Sequence, residues 1–159
     1  MGFSRGLWRA HRWRSFVFDP WMEKPWGPHA WVTRDFETWK HVVTHTAGGV
    51  AIWDEATANG GRDRENVPLF TEIRHRHHAI FCIGHAYSAI LPLMRINLTD
   101  VYLSLADPDD AAEWAKTMKD PNVTRATELR QFEFLHKRSF QPVEILRHSE
   151  ADILRGVMP

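Results

Sequence analysis

Two histidines and the single cysteine are the residues whose types and spacing best suit chemistry. His78, Cys82 and His85 stand at positions i, i+4 and i+7, so on a helix their side chains would share one face. Imidazole and thiolate are good zinc ligands, and histidines inside a membrane can ligate haem. The surroundings oppose a metal, because Arg74 and Arg76 lie one turn away and the apolar run that follows holds no carboxylate. We therefore predict no bound metal or cofactor and keep His78, Cys82 and His85 only as metal candidates.

Patterns typical of catalysis are missing from the sequence. It contains no G-x-S-x-G nucleophile motif and no G-x-x-x-x-G-K-S/T phosphate loop. The pairs Gly48-Gly49 and Gly60-Gly61 are not followed by Gly-Lys-Ser/Thr. Cys82 lies in an apolar run, where desolvation raises the pKa of a thiol and lowers its reactivity. The sequence therefore predicts a protein that is not an enzyme and has no small-molecule substrate.

The most apolar segment is the run of residues 79–94. It contains no Lys, Arg, Asp or Glu, and Arg95 closes it. A bilayer span needs about 20 apolar residues, with a lower range near 17, and this length is reached when Ile96 and Leu98 are included. We interpret residues 74–106 as a central apolar helix that spans a membrane. A buried core helix and a pair of buried strands are the alternatives.

Periodicity and helix-start signals predict a mainly α protein. Apolar residues recur at helical spacing over residues 33–45, and residues 50–53 have the composition of a short strand. An Asp-Pro start predicts a helix over residues 108–119, and a second helix is expected over residues 123–137. The last apolar stretch covers residues 142–155. The predicted segments are an extended arm (1–32), a helix with a polar loop (33–73), the central apolar helix (74–106) and a tail of amphipathic helices (107–159).

The N-terminal arm holds an unusual number of tryptophans. Seven of the eight lie in the first third of the chain, and prolines at 20, 25 and 28 exclude a continuous helix there. An extended arm has little structure of its own in which to bury indoles, so we expect it to lie on another subunit. Packing on its own domain is the alternative. The predicted partner-binding residues are Trp8, Trp13, Trp21, Trp26, Trp31, Arg9 and Arg12.

Charge and composition exclude several classes of protein. The 20 basic and 20 acidic residues cancel, whereas a dedicated nucleic-acid binder needs a basic surplus, so nucleic acid is not an expected partner. One cysteine excludes an internal disulfide framework.

Residues 1–18 carry four arginines and no acidic residue. An N-terminus rich in arginine and poor in acid resembles a mitochondrial import signal.

This layout resembles the supernumerary single-span subunits of mitochondrial inner-membrane complexes, of the respiratory chain or ATP synthase. The resemblance covers most of the chain and rests on its basic N-terminus, Trp-rich arm, apolar run and polar tail. It implies a non-catalytic accessory or assembly subunit whose partners are other subunits and the lipid bilayer. Arginines before the apolar run place the N-terminal side in the matrix. A soluble helical domain that binds a partner or zinc, and an organellar ribosome-associated protein, are the alternatives.

Overall fold

Two β-sheets connected by helices and turns make up the fold. The computed structural model describes residues 14–22 and 26–149. The strands are β1 (Arg14–Phe18), β2 (Ala30–Thr33), β3 (Gly49–Trp53), β4 (His78–Cys82), β5 (Asp100–Leu103), β6 (Glu133–Arg138) and β7 (Glu144–Arg147). The α-helices are α1 (Phe36–His45), α2 (Pro68–Thr71), α3 (Pro92–Arg95) and α4 (Pro108–Met118). Short 3₁₀ helices cover Arg64–Asn66, Ile73–Arg76, Tyr87–Ala89 and Pro121–Glu128. The first sheet is parallel with strand order β2-β1-β3-β4, and the second is antiparallel with order β5-β6-β7.

Strand β3 is buried along its whole length in the parallel sheet. All five residues of Gly49–Trp53 are buried. Ala51 and Trp53 pack on one face against residues of α1, whereas Val50 and Ile52 belong to a separate cluster with β1. A parallel strand that is covered on both faces has a continuous apolar sequence rather than an alternating one. The short strand predicted in this place is confirmed.

Helix α1 contributes to the core beside the parallel sheet. Asp35 caps its start, because the carboxylate accepts a hydrogen bond from the backbone of the first turn. Trp39 is fully buried, and its indole Nε1 donates to the carbonyl of Phe16 at 2.9 Å. The helix predicted over residues 33–45 is confirmed from Phe36 onward.

The central apolar run does not form a helix. Residues 79–94 contain most of β4, then the 3₁₀ helix Tyr87–Ala89 and the start of the four-residue α3. Strand β4 pairs in parallel with β3, and Pro92 occupies the first turn of α3. Within the ranges that the structure describes, no helix is long and apolar enough to cross a membrane. The predicted central helix over residues 74–106, spanning or buried, is therefore wrong.

The described part of the predicted N-terminal arm belongs to the sheet. Strand β1 lies between β2 and β3, so both of its edges are paired. Val17 and Phe18 are buried. The prediction of an extended arm over residues 1–32 is wrong for this part of the chain, because strand pairing fixes it inside the sheet. Residues 1–13 and 23–25 lie outside the described residues.

Helix α4 and the antiparallel sheet form the second half of the fold. Asp107 caps α4, and Lys119 ends it with a left-handed φ of 51°, so the helix predicted over residues 108–119 is confirmed. The helix predicted over residues 123–137 is wrong, since Pro121–Glu128 is 3₁₀ and β6 follows it. The described part of the last apolar stretch, residues 142–149, contains the edge strand β7 rather than an amphipathic helix, and residues 150–155 lie outside the described residues.

The fold is α/β, and the prediction of a mainly α protein is wrong. The larger core cluster joins the parallel sheet to α1, α2 and α3, and the second joins α4 to the antiparallel sheet. Leu98 packs against both clusters. The two sheets are therefore connected through apolar contact as well as through the chain.

Candidate active site

Acidic and polar residues gather where the parallel strands end. Asp19 directly follows β1, Asp54 and Glu55 directly follow β3, and His85 stands three residues after β4. Parallel strands end at the same edge of a sheet, and open α/β sheets bind their ligands outside that carboxyl edge. These four residues therefore form the candidate active site.

The end of β3 positions Asp54 and Glu55. The backbone N–H of Asp54 donates to the carbonyl of Phe18 at 3.1 Å, so the pairing with β1 continues beyond the strand. Asp54 is only 2 % exposed, and its Oδ1 accepts from the backbone N–H of Glu55 at 3.1 Å. Glu55 has a φ of 55°, in the left-handed region that residues with a Cβ rarely adopt. The chain therefore turns sharply at the residue that carries the second carboxylate.

A direct contact joins Glu55 to His85. The His85 Nε2 lies 2.9 Å from Oε1 and 3.0 Å from Oε2 of Glu55. The backbone supports this contact, because Ile83 donates to the carbonyl of Trp53 and Ala56 donates to the carbonyl of Ile83, both at 2.9 Å. The loops that follow β3 and β4 are thus held together by backbone hydrogen bonds as well as by the two side chains.

Asp19 organises the loop that follows β1. It is 1 % exposed, and its Oδ1 accepts from the backbone N–H groups of Trp21 and Met22 at 3.0 and 2.8 Å. Its Oδ2 accepts from the indole Nε1 of Trp26 at 2.7 Å. Because both oxygens bind this loop, the main role of the Asp19 carboxylate is to hold the chain at the edge of the sheet.

The carboxylates at this edge are of a kind that binds a divalent cation. Carboxylate oxygens are the ligands that Mg²⁺ prefers, and Mg²⁺ is usually held by one or two carboxylates plus substrate phosphates. Among the residues that the structure describes, no three His, Cys, Asp or Glu side chains converge as a permanent metal site requires. Asp54 and Glu55 supply carboxylate oxygens of the kind that Mg²⁺ prefers, and the other ligands of such an ion would come from water or from a substrate.

The three metal candidates do not form a common site. His78 begins β4 and Cys82 ends it, which separates them by about 13 Å along an extended strand. The buried ring of His78 places Nε2 3.0 Å from the carbonyl of Thr46, and burial raises the pKa of the Cys82 thiol to about 12. Only His85 reaches the candidate site, through Glu55.

The residues predicted to bind a partner have different environments. Trp21 is 64 % exposed and lies two residues after Asp19, and Trp31 is exposed on β2. Trp26 is half-buried and packs against the cluster of Val17, Val50 and Ile52. The others lie outside the described residues: Trp8, Trp13, Arg9 and Arg12. Their binding to a protein partner stays a prediction.

Comparison with known proteins reveals similarity in structure only. The sequence matches no protein family and no curated protein. Its fold is similar to that of the genome packaging NTPase B204 from Sulfolobus turreted icosahedral virus 2 in complex with AMPPCP. The TM-score is 0.70 at 14% identity, over 89% of this chain and 85% of that one. For B204 from Sulfolobus Turreted Icosahedral Virus, called a DNA-packaging ATPase, the TM-score is 0.70 at 14% identity over 89% and 86% of the chains. The sulfate complex of B204 from virus 2 gives 0.71 at 13% identity over 92% and 89%. At these identities the likeness establishes the fold.

These findings overturn the resemblance to a mitochondrial subunit. The similar structures are viral NTPases rather than single-span accessory subunits, and no described helix is suited to a membrane span. The expectations of a non-catalytic respiratory-chain or ATP synthase subunit, and of an inner-membrane location with the N-terminal side in the matrix, are wrong. The expectation that the chain is not an enzyme is contradicted as well, because its fold is similar to that of solved NTPases.

The Asp54-Glu55 pair is the candidate functional feature that the motifs of the sequence do not single out. A short apolar strand between Gly48-Gly49 and Asp54-Glu55 is visible in the sequence. Two carboxylates directly after a buried strand are the available signal, because the ends of parallel strands carry functional residues. The spacing of His85 makes it a metal candidate, whereas in the structure its side chain contacts Glu55.

Proposed function

We propose that this chain binds the magnesium complex of a nucleoside triphosphate at the carboxyl edge of its parallel sheet and hydrolyses it. The observation that carries the proposal is the Asp54-Glu55 pair at the end of the fully buried β3. The fold that places the pair there is similar to that of NTPases solved in complex with AMPPCP and ATP-gammaS.

Asp54 is the residue best placed to hold the cation. It is fixed by the backbone pairing of β3 with β1 and by the hydrogen bond from the N–H of Glu55. In nucleoside triphosphatases an Asp after a buried strand binds Mg²⁺; here Asp54 would hold the ion, which would neutralise charge that develops on the phosphates. Asp54 occupies the corresponding place relative to the sheet.

Glu55 is the residue best placed to act on water. Its side chain is 23 % exposed, so a water molecule can reach it. The carboxylate would accept a hydrogen bond from a water molecule whose oxygen attacks the γ-phosphorus. The bond from that phosphorus to the β–γ bridging oxygen breaks, its electron pair stays on the nucleoside diphosphate, and the proton of the water passes through Glu55 to solvent.

The test measures release of inorganic phosphate from ATP and Mg²⁺ by the full chain. Glu55→Gln keeps the shape but removes the basic oxygen, so we expect kcat to fall at least about 100-fold while nucleotide binding is retained. Glu113→Gln is the matched control, because Glu113 lies on α4 and pairs with Lys116 rather than with a residue of the site. A wild-type chain without magnesium-dependent hydrolysis, or a Glu55→Gln variant as active as wild type, would contradict the proposal.

A further inference from the structure

We infer that His85 is a positioning residue, which orients the Glu55 carboxylate for its action on water. The inference rests on the proposed function and assigns a role to a side chain outside the acidic pair. His85 comes from the loop after β4, whereas Glu55 comes from the loop after β3. The contact therefore spans two neighbouring strands of the sheet.

The geometry is that of one donor shared by both carboxylate oxygens. The distances from Nε2 to Oε1 and Oε2 differ by only 0.1 Å, at 2.9 and 3.0 Å. Since a carboxylate can accept about four hydrogen bonds, this contact leaves further acceptor positions on Glu55. The side chain of Glu55 is 23 % exposed and that of His85 is 70 % exposed. Water can thus reach Glu55 while His85 restrains it.

Thr57 fixes the backbone of His85 relative to Glu55. Its Oγ1 accepts from the backbone N–H of His85 at 2.9 Å. The residue before His85 is Gly84, where a Cβ would lie 3.3 Å from the same Oγ1. Thr57, on the loop that carries Glu55, therefore holds the backbone of His85, and the side chain of His85 contacts Glu55. These two contacts join the loop after β3 to the loop after β4.

Restraint of Glu55 has a chemical purpose at this position. Glutamate has three rotatable side-chain bonds, and the Glu55 backbone already adopts an uncommon left-handed conformation. A catalytic group that is displaced by about 1 Å loses up to about 100-fold in rate. A donor on the loop after the neighbouring strand keeps the carboxylate in one orientation without contacting the substrate.

The experiment compares His85→Ala with His85→Gln in steady-state hydrolysis of ATP and Mg²⁺. We expect His85→Ala to lower kcat about tenfold with little change in KM, because only the orientation of Glu55 is lost. His85→Gln should restore most of kcat, since its amide N–H can donate to the same carboxylate. His75→Ala serves as the control, because His75 is exposed before β4, at the opposite edge of the sheet. Thermal unfolding of each variant checks that the fold is kept.

A second pair of variants tests the anchor independently. Thr57→Val removes the acceptor for the His85 backbone at similar volume, whereas Thr57→Ser retains it. We expect Thr57→Val to lower kcat in the same direction as His85→Ala, and the two effects to be non-additive in the double variant. Thr57→Ser should remain close to wild type.

The outcomes separate this inference from the proposed function. If Glu55→Gln abolishes hydrolysis but His85→Ala has the kcat of wild type, the role of His85 is overturned and the proposed function stands. The role of His85 also fails if His85→Gln is as impaired as His85→Ala, because hydrogen-bond donation is then not what matters. If the wild-type chain hydrolyses no nucleoside triphosphate, both proposals are overturned.

Discussion

At the scale of single residues, Lys137 shows how this fold accommodates charge in its interior. Lys137 on β6 is buried, and its Nζ lies 2.9 Å from Oδ2 of Asp120 and also donates to the carbonyl of Gln141. A buried ammonium requires such partners, because an unpaired charge is very costly away from water. The pair links β6 to the chain just after α4.

The hydrogen bond from Lys137 and that from the backbone of Asn122 lower the pKa of Asp120 below its ordinary value. A lowered pKa in the folded state stabilises the fold above the ordinary pKa of Asp, about 4, and this contribution is lost as the pH falls through the lowered pKa. We expect Asp120→Asn to reduce the free energy of unfolding at pH 7 by about 3 kcal/mol. The difference from wild type should shrink below about pH 4.

Urea unfolding of wild type and Asp120→Asn from pH 7 down to pH 3 measures this effect. Glu113→Gln, which alters an exposed pair on α4, should differ little from wild type at every pH. A deficit of Asp120→Asn that is the same at pH 7 and pH 3 would show that the lost carboxylate charge is not its cause.

At the scale of elements, the two longer helices were predictable and β4 was not. Asp35 and the Asp107-Pro108 pair cap α1 and α4 through contacts within a few residues, so local sequence is sufficient to find them. The apolar residues after His78 fit the period of a helix as well as that of a strand. Short apolar runs therefore do not distinguish a helix from a strand. Its parallel pairing with β3 makes this segment a strand, and that pairing depends on residues far away in the chain.

The same reason limits how much of the candidate site could be predicted. Asp54 and Glu55 follow a short strand that the sequence does predict, so their place at a strand end was within reach. The contact of Glu55 with His85, 30 residues later, follows only from the strand order of the sheet. The position of Asp54 and Glu55 at a strand end was therefore predictable from the sequence, whereas the contact of Glu55 with His85 was not.

The loop between β3 and α2 packs closely on the 3₁₀ helix Tyr87–Ala89 through Gly61. A Cβ on Gly61 would collide with the carbonyl oxygen of Ala89 and lie 2.5 Å from that of Ala56. We expect Gly61→Ala to lower the free energy of unfolding by about 1–3 kcal/mol, because backbone on both sides must move. Chemical denaturation tests this, with the exposed Ala58→Ser in the same loop as the control. Equal stability of Gly61→Ala and wild type would mean that the loop rearranges without cost.

At the scale of the whole molecule, a fold similar to that of nucleoside triphosphatases occurs without the usual phosphate loop. The 159 residues contain no G-x-x-x-x-G-K-S/T motif, which in P-loop enzymes supplies backbone N–H groups and a lysine to the phosphates. If this chain binds a nucleoside triphosphate as proposed, the Mg²⁺ ion must supply most of the attraction between the phosphates and this acidic edge. Among the described residues, the carboxylates of Asp19, Asp54 and Glu55 at this edge would otherwise repel the triphosphate.

We therefore expect nucleotide binding to depend strongly on magnesium. Removal of Mg²⁺ with EDTA should weaken the binding of a non-hydrolysable ATP analogue at least about tenfold, because the bridging charge is lost. Isothermal titration calorimetry with and without Mg²⁺ measures the change. AMP, which lacks the β- and γ-phosphates, is the matched control and should respond much less. Equal affinity for the analogue in both conditions would contradict a cation-mediated site.

The indole rings beside the candidate site also have an optical consequence. Trp53, the residue before Asp54, lies 6.0 Å from Trp39 between ring centroids, and both are fully buried. Each indole N–H donates to a backbone carbonyl, that of Asn59 for Trp53 and that of Phe16 for Trp39. Indoles in a fixed, apolar environment emit at short wavelength and couple in the near-ultraviolet circular dichroism. The emission and the near-ultraviolet circular dichroism of Trp39 and Trp53 thus report on the sheet edge that carries the acidic pair, without any added label.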